Sequence, residues 1–375
     1  MNNNKKVVLH TIVNTFTAKK FVEPLAKSLS EDKYITSILI DPYNGDEIFL
    51  TMLDIDYNVS FFSITLNPFK FFKKVCNIRK VLLSIRPDII EAHLTTAALI
   101  PLIAAKITKV PIRIYHNHGV PYIGHGFIIK FILKKIEAIN CFLATDILTV
   151  SQGMVKPLNQ VTNKNILLLG NGSACGIDDN EYNKKNDDNV FDFLNGAKCV
   201  FLYVGRPYKR KGFHLMLNSF FNVFCNELDV HLLIAGCDIS DVNKVMKNCP
   251  SNIHPLGMVS DMENIYRQSN VVVLPSFHEG FGYALLEGAV HNCALIAANI
   301  PGPDSIVIDK ITGELFDLSL NGSLSILLEK FSNNKRLVEF YAKNAYKESF
   351  KYKRSNITRA YNEYISNVIE NEQNK

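Results

Sequence analysis

The sequence lacks the features that mark several common classes of protein. Its eight cysteines include no C-x-x-C pair, and no paired Cys/His spacing of a zinc site occurs. The longest uncharged apolar run, 97–105, contains Pro101, whereas a transmembrane helix needs about 18 or more apolar residues. No apolar leader follows the polar residues 1–6. We therefore expect free thiols, no membrane span, and a protein that stays on the cytoplasmic side.

What is present is typical of a two-domain α/β protein. A chain of 375 residues has room for about two domains. Strand-like and helix-like stretches alternate up to residue 150, a polar linker follows at 178–198, and the alternation then restarts. Such alternation favours parallel sheets covered on both faces by helices.

Two local predictions can be checked directly. Phe21, Leu25 and Leu29 recur at four-residue spacing and predict a helix over 18–29. Ser260, with Glu263 three residues on, predicts a capping box that starts a helix ending near residue 268. The final stretch, 324–370, is predicted to be mostly helical.

Positive charge is concentrated in one fifth of the chain. The window 64–135 carries twelve Lys or Arg and two acidic residues, a net charge of +10, which leaves −5 for the remainder. Lysines with aromatic and aliphatic neighbours suit an anionic membrane surface. A solvated basic face is the alternative, and nucleic acid is disfavoured because no recognised module is present. The lysines predicted to contact the membrane are Lys70, Lys73, Lys74, Lys130 and Lys134.

The first candidate site is the loop 205–212, which reads GRPYKRKG after a predicted strand and before a helix. Cations and backbone N–H groups at a helix start suit a phosphate or diphosphate. The loop is neither a Walker loop nor a G-x-G-x-x-G fingerprint. Taken alone, it is equally well explained as a solvated basic turn.

The second candidate site is the segment 278–287, which reads HEGFGYALLE after the strand that ends in Leu-Pro-Ser. Two glycines flank Phe281 and allow a ligand to approach the backbone closely. Glu279 lies in the predicted loop and Glu287 in the following helix. Their carboxylates could accept hydrogen bonds from the hydroxyls of a sugar or ribose.

Together these segments resemble the family-4 retaining glycosyltransferases, which have the GT-B fold. That family has a G-R-x-x-x-x-K-G-like segment and an E-x7-E motif, and several lesser motifs occur here in the expected order. The matching positions are Arg206, Lys211, Glu279 and Glu287, with the L-G-x-v turn at 256–259 and Gly313. The segment 302–305 resembles the family's G-x-x-E segment, although Ser305 stands in place of the glutamate. The resemblance is dense in the C-terminal half and thinner in the N-terminal half.

The resemblance implies two Rossmann-like domains with parallel sheets facing across a cleft. Residues 1–180 would bind the acceptor and residues 181–350 the nucleotide sugar, and a C-terminal helix at about 351–375 would pack back on the first domain. His118, after the predicted strand 111–115, matches the family's active-site histidine. His93 could line the same cleft.

Each site residue receives a role from the same resemblance. Arg206 and Lys211 would hold the donor diphosphate, and Glu287 would bond the ribose. Glu279 would face the donor sugar and act with His118. The residues with backbone or base-region roles would be Phe281 and Gly282, which offer N–H groups to the diphosphate, and Gly257, Met258 and Val259, which lie by the nucleotide base. No metal or other cofactor is expected.

Two departures from the family pattern stand out. The glycine pair expected after the first strand is absent, since residues 13–17 read VNTFT. A glycine before the strand at 294 is replaced by Asn292, and asparagine can take its place at a left-handed position.

The sequence thus predicts a metal-independent, retaining transferase on the inner face of the membrane. It would move a sugar from a nucleotide diphosphate donor, with UDP favoured, to a lipid-linked saccharide of a surface polysaccharide such as O-antigen or capsule. Three alternatives stay open: a nucleotide-sugar epimerase of the same fold, a soluble transferase with a non-lipid acceptor, and a binding protein that has lost its chemistry.

Overall fold

The computed structural model describes residues 5–42, 50–124, 126–182, 191–247 and 249–374. The chain divides into two compact units. Unit 1 comprises Met1–Gly176 and Arg354–Lys375, and unit 2 comprises Ile177–Lys353. Most of the acidic and amide-rich middle of the predicted linker, together with residues 1–4, lies outside the described residues.

Unit 1 is built on a sheet of seven parallel strands. In chain order these are β1 (Lys6–Val13), β2 (Tyr34–Asp41), β3 (Tyr57–Val59), β4 (Ile89–His93), β5 (Ile112–Asn117), β6 (Asp146–Thr149) and β7 (Ile166–Leu168). Their order in the sheet is β3-β2-β1-β4-β5-β6-β7. The helices of this unit are α1 (Thr15–Thr17), α2 (Glu23–Ser28), α3 (Pro68–Ile85), α4 (Thr95–Ile107), α5 (Phe127–Leu143) and α6 (Val155–Leu158).

Helices cover both faces of this sheet. Strand alternation places Leu9 and Ile90 on one face, where they pack with α3 and α4 through residues such as Ile78 and Ile100. The opposite face is covered by the last helix of the chain, which returns to unit 1 over the segment Arg354–Gln373. Burial on both faces explains why these strands read as nearly continuous apolar runs.

The first helical region differs from the prediction of one helix over 18–29. Helix α1 is followed by a π-helical turn, Ala18–Val22, and then by α2, which ends at Ser28. Asn14 has a φ of 73° and caps α1 by accepting a hydrogen bond from Thr17 N at 3.0 Å. The positive φ that a glycine would allow in this region is thus taken by Asn14. Asparagine tolerates it because its short side chain can form a hydrogen bond with the local backbone.

Unit 2 contains a second parallel sheet, of six strands. They are β8 (Cys199–Val204), β9 (Val230–Ala235), β10 (Ile253–Pro255), β11 (Val271–Leu274), β12 (Ala294–Ala298) and β13 (Gly313–Phe316). Their order is β10-β9-β8-β11-β12-β13. The helices are α7 (Phe213–Phe224), α8 (Ile239–Asn243), α9 (Met262–Arg267), α10 (Tyr283–Val290), α11 (Ser323–Ser332) and α12 (Lys335–Ser349), and α13 (Arg354–Gln373) follows in unit 1.

Two details of unit 2 bear on the sequence predictions. The N-cap of α9 is Asp261, whose carboxylate accepts from Asn264 N, and not Ser260. Both residue types cap well, so sequence alone could not choose between neighbours. Asn292 has a φ of 59°, which confirms that asparagine occupies the left-handed position there. Among the described residues, every helix is too short or too polar to cross a bilayer.

Candidate functional site

In unit 2 the two candidate loops leave neighbouring strands at the point where the strand order reverses. From β8 the chain continues outward to β9 and β10, and from β11 it continues the other way to β12 and β13. In open parallel sheets, ligands bind outside the carboxyl ends of the strands at such a switch point. The loop 205–212 follows β8 and the loop 275–282 follows β11, so both start at this location.

Close backbone contacts hold these loops together. Gly212 has a φ of 72°, and a Cβ added there would lie 2.0 Å from the carbonyl oxygen of Pro275. The N–H of Phe277 donates to the carbonyl of Arg210 at 2.9 Å. Gly302 closes the other side, since its Cβ would lie 2.8 Å from the carbonyl oxygen of Glu279. Glycine is needed at Gly212 and Gly302 because two backbone segments are in contact at each position and leave no space for a side chain.

Lys211 and Glu279 meet inside this group of loops. Lys211 Nζ lies 2.5 Å from Glu279 Oε1, and the Ser276 hydroxyl donates to the same oxygen at 2.8 Å. The glutamate side chain is largely buried and the lysine is about one quarter exposed. Arg206, at the start of the first loop, is exposed. The carboxylate therefore holds the lysine in a fixed place, while the arginine side chain is accessible to a ligand.

Phe281 and Gly282 contribute backbone to the site. The Phe281 side chain is buried against Tyr283 and Tyr352, with ring centroids 5.3 Å apart in both pairs. Gly282, with a φ of 100°, precedes α10. The first N–H groups of a helix have no partner within it, so this turn offers donors to an anion.

Glu287 is the fifth residue of α10, just over one turn from its start, and is half-buried. Its Oε2 accepts a hydrogen bond from the Tyr266 hydroxyl at 2.8 Å. Burial, reinforced by the Glu287 carboxylate, raises the pKa of Tyr266 well above its usual range, so the phenol keeps its proton and donates. His291 contacts the Glu287 carbonyl through Nδ1 at 2.8 Å. These contacts fix one carboxylate oxygen of Glu287 in position.

The 256–259 turn lies beside the end of β9. Gly257 accepts a hydrogen bond from Gly236 N at 2.7 Å and donates to the Cys237 carbonyl at 2.8 Å. A Cβ at Gly236 would lie 2.8 Å from the Gly205 carbonyl oxygen, so this turn borders the first loop. The Met258 side chain is 87% exposed, which leaves it available to a base. Val259 follows it in the same turn.

Unit 1 carries a different polar centre at the carboxyl ends of β1, β4 and β5. Register pairs His10 with Glu91 and His93 with His116 across neighbouring strands. Glu91 Oε1 lies 2.7 Å from His116 Nδ1, and Glu91 Oε2 accepts from the Tyr361 hydroxyl of α13 at 2.6 Å. All five side chains are buried.

His118 lies at the open end of this cluster. Its Nε2 is 2.9 Å from His93 Nδ1, and His93 Nε2 is in turn 3.2 Å from His10 Nδ1. Burial lowers the pKa of His93 and His118 well below the usual range, with like charge from His116 adding to the effect. The His118 residue is half-buried. These two rings are therefore neutral at pH 7.

Asn117 fixes the loop that carries His118. Its side-chain carbonyl accepts from Gly119 N at 3.0 Å, and its amide donates to Glu137 Oε1 at 2.8 Å. Tyr115 donates to the same carboxylate oxygen at 2.7 Å. Burial raises the pKa of Glu137 to about 7. Tyr115, Asn117 and Glu137 are all fully buried, so this support lies within the core of unit 1.

Sequence reasoning placed His118 and His93 here but missed His10, Glu91, His116 and Tyr361. A signal was available for three of them. His10, Glu91 and His116 are titratable residues inside apolar strands, where such groups are rarely buried without partners. Tyr361 gave no comparable signal, because it comes from α13, 351 residues further along the chain than His10.

Within the described residues, three groups of side chains are close enough to be considered for a metal ion. They are His93, His116 and His118; His10, Glu91 and His93; and Glu181, Glu263 and His291. In the first two groups, ring nitrogens face one another in hydrogen bonds, so we assign them to the hydrogen-bond network. Residues 54–56 read D-x-D, a pattern that can bind metal in transferases. They come directly before the amino end of β3, whereas the histidine cluster lies toward the carboxyl ends of its strands. Asp54 is also ion-paired with Lys27.

The predicted membrane lysines are in different environments. Lys70, Lys73 and Lys130 are exposed. Lys74 is half-buried and donates to the Ser63 carbonyl at 2.7 Å. Lys134, also half-buried, lies 3.4 Å from Gln160 Oε1.

The apolar neighbours of these lysines are more exposed than is usual for such side chains. The first turns of α5 present Phe127, Ile128 and Phe131 at 87%, 73% and 57% exposure. Near the start of α3, Leu66 and Phe69 are exposed at 98% and 85%. Large apolar side chains grouped in this way mark an interaction surface more often than a solvated one.

Two family models and a curated relative match large parts of this chain. Residues 198–324 match the family described as glycosyl transferases group 1, and residues 10–151 match the family described as glycosyl transferase 4-like. The chain is 30% identical over 275 residues to the capsular polysaccharide biosynthesis glycosyltransferase CapM of Staphylococcus aureus, covering 70% of this chain and 72% of that protein.

Two further comparisons extend over almost the whole chain. It is 22% identical, over 94% of its length and 96% of the relative's, to N,N'-diacetylbacillosaminyl-diphospho-undecaprenol alpha-1,3-N-acetylgalactosaminyltransferase of Campylobacter jejuni. The structure of Anabaena Alr3699/HepE in complex with UDP and glucose matches with a TM-score of 0.77 at 16% identity, covering 97% of this chain and 99% of that one.

The two parallel sheets and this structural likeness define the class: the protein is an α/β protein of the GT-B fold. The sequence relatives define the family. The chain belongs to the glycosyl transferases of group 1 and is a glycosyltransferase. The predictions of family, fold class and enzyme type are thereby confirmed, and the epimerase alternative is not favoured.

Proposed function

We propose that this protein is a retaining transferase that moves a sugar from a UDP-sugar to a lipid-linked saccharide in the assembly of a surface polysaccharide. The observation that carries the proposal is the meeting of the loops 205–212 and 275–282 at the switch point of unit 2. The relatives add support, since one is named for capsule synthesis and another for a diphospho-undecaprenol acceptor. UDP is bound in the similar HepE structure.

The donor's diphosphate is the part of the substrate for which the site is best equipped. It gains negative charge as the sugar departs, and fixed cations stabilise that charge without reorganising. We assign this role to Arg206 and Lys211, with the first N–H groups of α10 beside Phe281 and Gly282. Because these groups neutralise the diphosphate, no metal ion is required.

The ribose, base and sugar of the nucleotide-sugar donor are assigned to other residues of the same site. Glu287, with one oxygen held by Tyr266, accepts hydrogen bonds from the ribose hydroxyls. The turn at Gly257, Met258 and Val259 lies by the base. Glu279 faces the donor sugar, and His118 of unit 1 is assigned the orientation of a substrate hydroxyl. Departure and attack on the same face give retention, and the leaving diphosphate takes the proton of the acceptor hydroxyl.

The direct test is a transfer assay with purified protein in EDTA. UDP-, GDP- and ADP-sugars are offered with and without a polyprenyl-diphosphate-linked sugar. We expect release of UDP only when the acceptor is present, and an α-linked product from an α-linked donor. Release that needs an added divalent ion, or a product with inverted configuration, would overturn the mechanism.

We further propose that unit 1 docks on the anionic inner surface of the membrane through the exposed residues near the starts of α3 and α5. Each lysine near such a surface contributes about 1 kcal/mol. A Lys73→Glu/Lys130→Glu double variant should bind anionic vesicles about tenfold or more weakly than the wild type. The matched control is Lys156→Glu/Lys343→Glu, which reverses two exposed lysines elsewhere.

Vesicles of neutral lipid serve as the second arm of this experiment. We expect weak co-sedimentation of the wild type with neutral vesicles and strong co-sedimentation with anionic ones. Equal losses in both double variants would mean that overall charge, and not this surface, drives binding, and the docking proposal would fail. A transferase with full activity on a soluble acceptor and no vesicle binding would favour the soluble alternative.

A further inference from the structure

Hydrogen bonds link the rings of Tyr361, His10, His93 and His118 in unit 1, and the distances determine which atom of each pair is the donor. Tyr361 has one hydroxyl proton and two neighbours, Glu91 Oε2 at 2.6 Å and His10 Nε2 at 3.4 Å. The short contact is the charge-assisted one, so the proton belongs to the bond with Glu91. The 3.4 Å contact with His10 can then be a hydrogen bond only if Tyr361 accepts and His10 Nε2 carries a proton.

That assignment passes from ring to ring. A neutral imidazole carries a proton on one nitrogen only. Burial lowers the pKa of His10, as it does for His93, so both are neutral at pH 7. With its proton on Nε2, His10 accepts at Nδ1 from His93 Nε2, 3.2 Å away. His93 then accepts at Nδ1 from His118 Nε2, 2.9 Å away.

We propose that Tyr361, acting through His10 and His93, holds His118 as the tautomer with its proton on Nε2, so that Nδ1 presents a lone pair to a hydroxyl of the bound substrate. The first part concerns the protein alone, and the second rests on the proposed function. Tyr361, His10 and His93 are positioning residues in this scheme, because each acts on His118 only through its neighbour.

The reverse direction is disfavoured by the same distances. It would require Tyr361 to donate over 3.4 Å to His10 and leave its bare oxygen 2.6 Å from the Glu91 carboxylate. Hydrogen bonds to His116 and Tyr361 stabilise the charged form of Glu91, and although burial opposes this, the pKa of that carboxyl is lowered. An ionised carboxylate cannot share a 2.6 Å contact with an oxygen that donates elsewhere.

The fixed tautomer matters because a neutral histidine can either accept or donate at the nitrogen that faces a substrate. His118 Nδ1 has no hydrogen-bond partner among the described residues. With an unprotonated Nδ1, His118 accepts the proton of a sugar hydroxyl in a hydrogen bond and so orients that hydroxyl. In the other tautomer Nδ1 would carry a proton and would donate instead. Because the ring is already held in one tautomer, binding of the substrate requires no change of tautomer.

The test is a long-range ¹H–¹⁵N spectrum of the full chain labelled at histidine nitrogens, with the His118 signals assigned from a His118→Gln variant. In the wild type without substrate we expect a protonated Nε2 and an unprotonated Nδ1. In Tyr361→Phe, which removes only the hydroxyl, we expect the His118 signals to move toward an average of both tautomers. A wild-type His118 protonated at Nδ1, or an unchanged spectrum in Tyr361→Phe, would overturn the proposal.

Tyr364→Phe is the matched control. Tyr364 lies on the same helix, and its buried hydroxyl has no hydrogen-bond partner in the part of the chain that the structure describes, so its loss should leave the His118 signals in place. A matching shift in this control would mean that any change on α13 disturbs the ring, and the proposal would fail. If Tyr361→Phe does not fold, the wild-type spectrum alone still decides the tautomer.

Kinetics provide a second readout. We expect Tyr361→Phe to lower kcat about tenfold, the usual scale for loss of an orienting partner, while the donor KM changes less than about twofold. Tyr364→Phe should keep the wild-type kcat. Absence of transfer by the wild type with every sugar nucleotide would defeat the proposed function, yet the spectrum would still test the tautomer, so the two failures are distinguishable.

Discussion

The polar centres of the two units are built on opposite principles. In unit 2, charged side chains lie on loops at the ends of β8 and β11, and Lys211 bonds Glu279 at 2.5 Å. In unit 1, neutral rings lie within the strands or, for His118, in the loop directly after β5, and burial keeps His93 and His118 uncharged. The first arrangement suits a charged diphosphate, and the second suits hydroxyl groups that need a defined donor or acceptor. The difference predicts that the two centres respond differently to substitution and to pH.

The largest effect is expected from Lys211→Ala in unit 2. Loss of a fixed cation at a departing diphosphate should lower kcat/KM for transfer by about 100-fold or more. Lys209→Ala, on the exposed side of the same loop, is the control and should stay within about twofold of the wild type. Equal losses in both variants would mean that the loop acts by its general charge.

A smaller but specific effect is expected from Glu287→Gln. The amide still contacts Tyr266 but is a weaker acceptor for ribose hydroxyls, so the donor KM should rise about tenfold with kcat nearly unchanged. Glu263→Gln, which removes the charge that pairs with Arg267, is the control. Steady-state kinetics with varied donor decide the matter. A fall in kcat at constant KM would place Glu287 at the reacting sugar instead.

The contact between the two loops of unit 2 can be tested through stability. Gly196 and Gly212 have similar positive φ values, 78° and 72°, but only Gly212 has a backbone atom in the way of a Cβ. Gly196→Ala should cost about 1–2 kcal/mol for the left-handed backbone. Gly212→Ala should cost clearly more, because the Pro275 carbonyl must move. Melting temperatures measure the difference, and equal values would contradict the close approach.

The last prediction concerns pH and unit 1. Burial lowers the pKa of His10, His93 and His118, so below about pH 6.5 the unfolded chain binds protons that the folded chain does not. The free energy of unfolding should therefore fall as pH drops from about 6.5 toward 5, by up to about 1.4 kcal/mol per pH unit for each ring. His93→Gln should flatten this slope in urea titrations. The same slope in wild type and variant would show that these rings do not titrate as described.

Sequence predicted unit 2 better than unit 1 for a physical reason. Residues of a loop at a strand end are near one another in the chain, so the spacing of Glu279, Phe281, Gly282 and Glu287 could be interpreted directly. Nothing in that spacing reveals the bond between Lys211 and Glu279, which depends on the order of β8 and β11 in the sheet.

In unit 1 the decisive contacts depend on strand register and on a helix from the far end of the chain. A one-residue change of register would put His10 and Glu91 on the other face of the sheet. Tyr361 reaches them only because α13 returns to unit 1. The parallel sheets and terminal helices could be predicted from alternation, whereas the breaks at α1 and α2 and the choice of Asp261 as N-cap could not.

The measurement that tests the central claim most directly is hydrogen exchange of the full chain with and without UDP. If unit 2 binds the donor at its switch point, UDP should slow exchange in residues 205–212 and 275–290, and Lys211→Ala should abolish that protection. The histidine strands of unit 1 should change far less. Protection confined to unit 1, or none in either loop at saturating UDP, would contradict the account.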